Sequence, residues 1–210
     1  MKILSHRGMW IDKEEQNSEI AFKRSFSSGF GVETDVRDYQ KKLVISHDIP
    51  SGNELNFDDF LEVYKSEGQN SLLALNIKSD GLQKLLRQSL YRHKVNNYFV
   101  FDTSVPDGLG YIEMGMITYT RQSEYETFPS FYKKASGVWL DEFHGQWIDE
   151  TTLQNLLSDG KEVCIVSPEL HGRSFLQEWA LYKEFESFLG VDSFAICTDF
   201  PKKAERYFNG

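Results

Sequence analysis

Short, continuous apolar runs alternate with longer amphipathic stretches along the whole chain. Side chains repeat direction every second residue in a strand and about every 3.6 residues in a helix, so the two kinds of run can be told apart. Runs at residues 2–5, 30–36, 43–46, 72–78, 98–102, 114–119, 138–141, 163–167 and 194–199 predict strands. Stretches at 19–26, 57–65, 80–93, 123–134, 149–157, 174–189 and 201–208 predict helices. Ser18 is a natural N-cap for the first helix and Gly29 a natural stop. Gly160 stops the helix at 149–157, and Pro201 opens the last one. Residues 103–113, with Pro106, Gly108 and Gly110, read as a connection. Strand and helix thus alternate about eight times, and most strands are continuously apolar, as parallel strands covered by helices are. Eight units favour a closed (β/α)₈ TIM barrel over an open sheet. The chain is lean for such a barrel, so its loops must be short, and its length suits a single domain spanning residues 1–210.

The strand at 30–36 breaks the apolar rule. Val32, Thr34 and Val36 share one face, and Glu33 and Asp35 the other. Two carboxylates on one face of an apolar strand repel each other unless something cationic lies between them, and a hard divalent ion with oxygen ligands suits that place. A turn at 38–42 follows, and the next strand runs into His47-Asp48, bringing an imidazole close in sequence to the acidic pair.

Composition narrows the field of functions. Hydrophobic content of 40% and charged content of 26% are ordinary for a globular chain. A formal net charge of -9, with no basic cluster to offset it locally, argues against nucleic acid and against an anionic membrane surface. The opening residues turn polar at Ser5-His6, too early for a signal peptide, and no apolar run reaches membrane-spanning length. Cys164 and Cys197 lie inside apolar strands, where buried thiols are expected. A reducing cytoplasm without stable membrane insertion is the expected setting.

Of the five histidines, His6, His47, His144 and His171 fall at or just after predicted strand ends, and only His93 lies at a helix end. Asp102, Asp141, Glu169 and Asp199 also follow strands. The C-terminal strand ends of a (β/α)₈ barrel form its active-site face, so these groups are expected to converge there.

His6-Arg7-Gly8, Gln16-Asn17-Ser18 with Ala21-Phe22, Glu33-Thr34-Asp35-Val36 and His47-Asp48 form an ordered set. In this order the set resembles the glycerophosphodiester phosphodiesterase family, among the barrel phosphodiesterases that include phosphatidylinositol-specific phospholipase C. Gly190-Val191-Asp192 and Thr198-Asp199-Phe200-Pro201 are similar to the family's closing strand and helix. The resemblance implies a metal-dependent phosphodiesterase with His6 and His47 as general acid and base, chemistry for which imidazole titrates at the right pH. It implies that Arg7 binds phosphate, its planar fork suiting two phosphoryl oxygens, and that Glu33 and Asp35 bind one divalent cation, Mg²⁺ or Ca²⁺. Lys78 could hold phosphate or make a structural ion pair, and Glu169, His171 and Arg173 are expected to line the substrate side. Trp139 and Trp147 could stack on a sugar or alcohol group, or simply pack the barrel.

Three departures from the family pattern matter. Gln16 stands where the family usually has Glu, and Asn76 stands where a third acidic ligand precedes the lysine, Lys78. An amide can still offer a carbonyl oxygen to metal, without charge. The subdomain that family members often insert after the second histidine is lacking, since only residues 49–58 lead to the next helix. A more open mouth follows, with weaker selection for glycerol. The expected partner is a small phosphodiester, with a phospholipase acting on a lipid head group as the enzymatic alternative. A non-catalytic phospho-sugar or phospho-alcohol binding protein is the other alternative, although binding alone does not need two proton-transfer groups.

Overall fold

Nine strands and seven α-helices form among the described residues of the computed structural model, which describes residues 1–68, 70–189 and 194–210. In order they are β1 (Lys2–His6), α1 (Glu19–Ser27), β2 (Gly31–Tyr39), β3 (Lys42–Ile45), α2 (Phe57–Glu67), β4 (Leu73–Ile77), α3 (Gln83–His93), β5 (Tyr98–Phe101) and α4 (Val105–Glu113). Then come β6 (Tyr119–Gln122), β7 (Gly137–Leu140), α5 (Glu150–Ser158), β8 (Glu162–Val166), α6 (Leu176–Leu189), β9 (Phe194–Thr198) and α7 (Pro201–Phe208). Short 3₁₀ turns occupy Lys13–Glu15 and Pro168–His171. Eight strands belong to the parallel set and β3 returns antiparallel on β2, giving the (β/α)₈ TIM-barrel class expected from the alternation.

Two compact units make up the chain. Leu4–Thr118 carries the strand order β5-β4-β2-β1, with β3 paired to β2. Met1–Ile3 with Tyr119–Gly210 carries β9-β8-β7-β6. The core of the first unit is aliphatic beneath the sheet and aromatic between α1 and α2. Phe22 and Phe60 meet edge to face with centroids 4.7 Å apart, and Phe26 meets Tyr64 at 5.5 Å. In the second unit Trp179 is fully buried against Phe175 and Phe208, and its indole N–H donates to Ser167 Oγ at 2.7 Å. Cys164 and Cys197 are buried thiols on β8 and β9.

Cap chemistry explains which helix ends were legible. Ser18 Oγ accepts from Ala21 N, Asp149 accepts from Thr152 N, and Pro201 opens α7 as expected. Two stretches went differently. Residues 103–113 fold as α4, because Ser104 accepts from Asp107 N and Pro106 falls in the first turn, where a missing N–H costs nothing. Residues 123–134 form no helix. Pro129 sits in the middle of that stretch, where it cannot donate and disfavours helical backbone before it, and Phe131 takes a left-handed φ of 44°. Ser123 instead closes a turn on Glu126 N.

Other differences are of boundary. The strand expected at 114–119 is displaced to β6, with Thr118 bridging Val100 just before it. Gly81, at φ +86°, delays α3 to Gln83, and Gly172, at φ +70°, precedes a later start of α6. The motif residues Gly190-Val191-Asp192 lie outside the described residues.

Phe60 is fully buried and touches Phe22, Phe26 and Phe57. Phe60→Ala is expected to cost about 3–5 kcal/mol, read from denaturant midpoints, as large-to-small core changes do. A loss below about 1 kcal/mol would show that this aromatic layer is not what joins α1 to α2.

Candidate active site

The site in Leu4–Thr118 is built around two acids that a strand ought not to bury. Glu33 and Asp35 on β2 are only 2% and 1% exposed. Parallel pairing sets His6 of β1 against Glu33, and Asn76 of β4 against Asp35. Cations answer the charge. Arg7 Nε lies 3.0 Å from Asp35 Oδ2, and Lys78 Nζ lies 3.4 Å from both Asp35 Oδ1 and Asp102 Oδ2. His6 Nε2 lies 3.9 Å from Glu33 Oε2. Glu33 nevertheless titrates high, pushed up to about 7 by its burial and by the charge of Asp35, with His6, Lys78 and Arg7 offsetting part of the rise.

Backbone strain positions Arg7. It takes a left-handed φ of 55°, directly followed by Gly8 at φ +84°. Its N–H donates to the Glu33 carbonyl at 2.9 Å and lies 3.3 Å from Glu33 Oε2, so the turn after β1 is tied to the acid it serves. Non-glycine residues are held at positive φ only where their surroundings over-determine them. A Cβ on Gly8 would lie 2.8 Å from Ala21 Cβ, so helix α1 presses directly on this turn.

Asn17, also at a positive φ of 58°, is the functional side chain whose role the sequence did not reveal. Its amide donates to Asp35 Oδ2 at 2.8 Å while its carbonyl accepts from Thr34 Oγ1 at 2.8 Å. The signal was its place in Gln16-Asn17-Ser18, one residue before a helix cap. Gln16 Oε1 accepts from Arg7 Nη1 at 3.3 Å, so it supports the arginine without adding charge.

His47 reaches the site by a hairpin. β2 continues to Tyr39, Gln40 and Lys41 turn with positive φ, and β3 returns until Ser46 N donates to the Asp35 carbonyl at 3.0 Å. The turn is therefore two residues long, tighter than the expected 38–42. The His47 side chain is 48% exposed, and its Nδ1 donates to Asp48 Oδ1 at 2.9 Å, leaving Nε2 to exchange a proton. That bond, with further help from Arg7 and Arg37, holds the Asp48 carboxyl below its usual range. Arg7, Gln16, Asn17, Ser46, His47 and Asp48 line one cleft of about 550 Å³. Only residues 46–56 connect β3 to α2, so the short connection expected there is present.

The donor set fits a hard divalent cation. Asp35 Oδ1 and Asn76 Oδ1 are both buried without a hydrogen-bond partner, although Lys78 makes an ion pair to the former. Buried acceptors are rarely left so. No group of three His, Cys, Asp or Glu side chains placed to hold a metal occurs among the described residues.

The remaining predicted residues belong to the other unit. Glu169 follows β8, and its carboxylate accepts from Thr198 Oγ1, Ser167 Oγ and Asp199 N. His171 Nε2 pairs with Asp141 Oδ1 at 3.0 Å and its ring packs on Phe143. Arg173 binds the Glu142 carbonyl and Glu178. His144 meets the Tyr125 hydroxyl. Trp139 is buried in β7, and Trp147 donates to the Asp141 carbonyl.

No family model matches the chain, and no curated protein matches it in sequence. Solved structures do resemble it. A candidate glycerophosphodiester phosphodiesterase from Galdieria sulphuraria is similar at a TM-score of 0.79 and 15% identity, over 100% of this chain and 98% of that one. An Oleispira antarctica phosphodiesterase, solved with the product sn-glycerol-3-phosphate, is similar at 0.71 and 15%, over 100% and 97%. A Ca²⁺-dependent phosphatidylinositol-specific phospholipase C from Streptomyces antibioticus is similar at 0.56 and 12%, over 99% and 95%. At such identities the likeness establishes the fold.

A carboxyl whose pKa is raised on folding stabilises most below its ordinary value of 4.5, and that contribution is lost as pH rises through about 7. In chelator, wild type should therefore lose on the order of 3 kcal/mol relative to Glu33→Gln between those pH values. Denaturant midpoints measured across that window check this, and parallel pH profiles for the two proteins would contradict it.

Proposed function

We propose that the chain is a phosphoric diester hydrolase acting on a glycerophosphodiester-like substrate. One observation carries the reading: two cations converge on buried Asp35 beside an imidazole on Glu33, and a second imidazole lines the cleft that Arg7 enters. The likeness in fold to phosphodiesterases supports it.

Arg7 and Lys78 place positive charge where a phosphodiester anion would sit, the guanidinium gripping two oxygens and the ammonium acting as a point charge. His47, open to the cleft and oriented by Asp48, takes the proton of the attacking oxygen. His6, with Nε2 3.9 Å from Glu33 Oε2, gives a proton to the departing alcohol. Glu33, Asp35 and Asn76 would hold one divalent cation, Mg²⁺ or Ca²⁺, which when bound polarises the phosphoryl oxygens and offsets their developing charge. Asn17 holds Asp35 by Oδ2, the oxygen that Arg7 also meets.

The likeness to a Ca²⁺-dependent phospholipase supports a second reading, a phosphodiesterase acting on a lipid head group. No helix among the described residues is long and apolar enough to cross a membrane. The buried thiols are in keeping with a cytoplasmic setting.

His6→Ala and His47→Ala should each lower turnover by about a hundredfold or more, the usual worth of a positioned acid or base. The thermal midpoint of His47→Ala should stay near wild type, because its side chain is half exposed. Near wild-type turnover by either variant on the best phosphodiester would remove that residue from the chemistry.

A further inference from the structure

Asp102 stands where a glycine would cost least. It is the first residue after β5 and takes a left-handed φ of 62°, turning the chain toward the cap of α4, where Ser104 Oγ accepts from Asp107 N. Glycine reaches that backbone freely, whereas a side chain there carries strain of the kind that gathers at functional positions. Pairing of β4 with β5 sets Asn76 opposite Phe101, so Lys78 and Asp102 leave the same end of neighbouring parallel strands. That end forms the active-site face of a barrel. Lys78 is anchored through its backbone, its N–H donating to the Val36 carbonyl at 3.0 Å.

The ammonium of Lys78 is shared. Its Nζ lies 3.4 Å from Asp35 Oδ1 and 3.4 Å from Asp102 Oδ2, both longer than the roughly 2.7–2.9 Å of a closed charge-assisted bond. Only the Asp102 contact has the geometry of a hydrogen bond, and Asp35 Oδ1 is left without one. Asp35 is the more buried of the two, at 1% against 25% side-chain exposure, and its other oxygen already meets Arg7 and Asn17. Away from water, an ammonium facing one buried carboxylate alone closes on it. Resting on the hydrolase reading above, we propose that Asp102 is a positioning residue for Lys78. Its carboxylate, set by the left-handed turn, draws the ammonium off Asp35 and keeps one of its three N–H groups directed to the substrate phosphate. Without it, Lys78 closes on Asp35 Oδ1 and its charge is neutralised inside the protein. The sign of the effect is distinctive. A carboxylate acting only through its own charge repels phosphate, so its removal would tighten anion binding, whereas loss of a carboxylate that positions Lys78 weakens it.

Steady-state kinetics on the best phosphodiester, calorimetric titration of sn-glycerol-3-phosphate and thermal melts test this on the full chain. They compare wild type with Asp102→Asn, Asp102→Gly, Lys78→Gln and the double variant Asp102→Asn with Lys78→Gln. Asparagine keeps the shape and tolerates the left-handed backbone, so it removes the charge alone. Both Asp102 variants should lower kcat/KM by about tenfold or more, as misplacement of a binding group does, and should bind the phosphate ester more weakly than wild type. Asp102→Gly, freed of the side chain's strain, should melt above Asp102→Asn and yet be no more active. In the Lys78→Gln background the asparagine change should cost less than about threefold further, because residues that act through one another are not additive. Wild-type kcat/KM in Asp102→Asn, tighter binding of the ester by it, or activity that recovers with the thermal midpoint in Asp102→Gly would overturn the inference. An equal fold-loss with and without Lys78 would also overturn it, and each of these results leaves the hydrolase reading standing. Should Lys78→Gln fold poorly, the two Asp102 variants alone still decide. A wild type that cleaves no phosphodiester would remove that reading and this inference with it.

Discussion

The site depends on the burial of Glu33 and Asp35 on the second strand of an apolar sheet. Two carboxylates removed from water and set two residues apart are costly unless opposite charge meets them. Arg7, Lys78 and His6 meet that need from three separate positions: the turn after β1, the residue after β4 and the end of β1 itself. Neighbouring features follow from the same demand. Arg7 accepts a left-handed backbone to reach Asp35, Gly8 makes room for α1 behind it, and Asn17 adopts positive φ to donate to the same carboxylate. Strain concentrated in these few residues fits a site set in advance for an anionic ligand.

The second constraint is the length of β2. Its last residues run on past Val36 and pair only with β3, so the antiparallel return delivers Ser46 to the level of Asp35 and His47 to the cleft. A barrel strand normally offers its C-terminal end to the active-site face, yet β3 runs the other way and still contributes, because the hairpin carries it back. The two histidines thus come from two different devices, a strand end for His6 and a hairpin return for His47.

Much of this was legible in the sequence, and the legible parts share a local cause. Alternation along 30–36 exposed the acid pair, Ser18, Asp149 and Pro201 marked helix starts, and the apolar runs located the parallel strands apart from β6, which lies after its expected place. What was missed depends on contacts between elements or on competing local rules. The glycines of α4 masked a helix that Ser104 and Pro106 were already specifying, while Pro129 ruled out a helix that the apolar spacing of 123–134 suggested. Asn17 could not be assigned its role from its neighbours, since its two partners lie on β2. The partners of the Glu169 carboxylate, Ser167, Thr198 and the backbone of Asp199, were likewise not readable from its place after a strand.

Phosphate chemistry is the central claim, and product analysis tests it most directly. Wild-type protein incubated with glycerophosphodiesters of differing alcohols, with Mg²⁺ or Ca²⁺ or with chelator, can be followed by phosphorus NMR. The account predicts that at least one diester resonance converts to a phosphomonoester in the presence of divalent cation, and that chelator halts the conversion. Diesters that all persist unchanged with cation present, or a conversion that chelator does not slow, would contradict it.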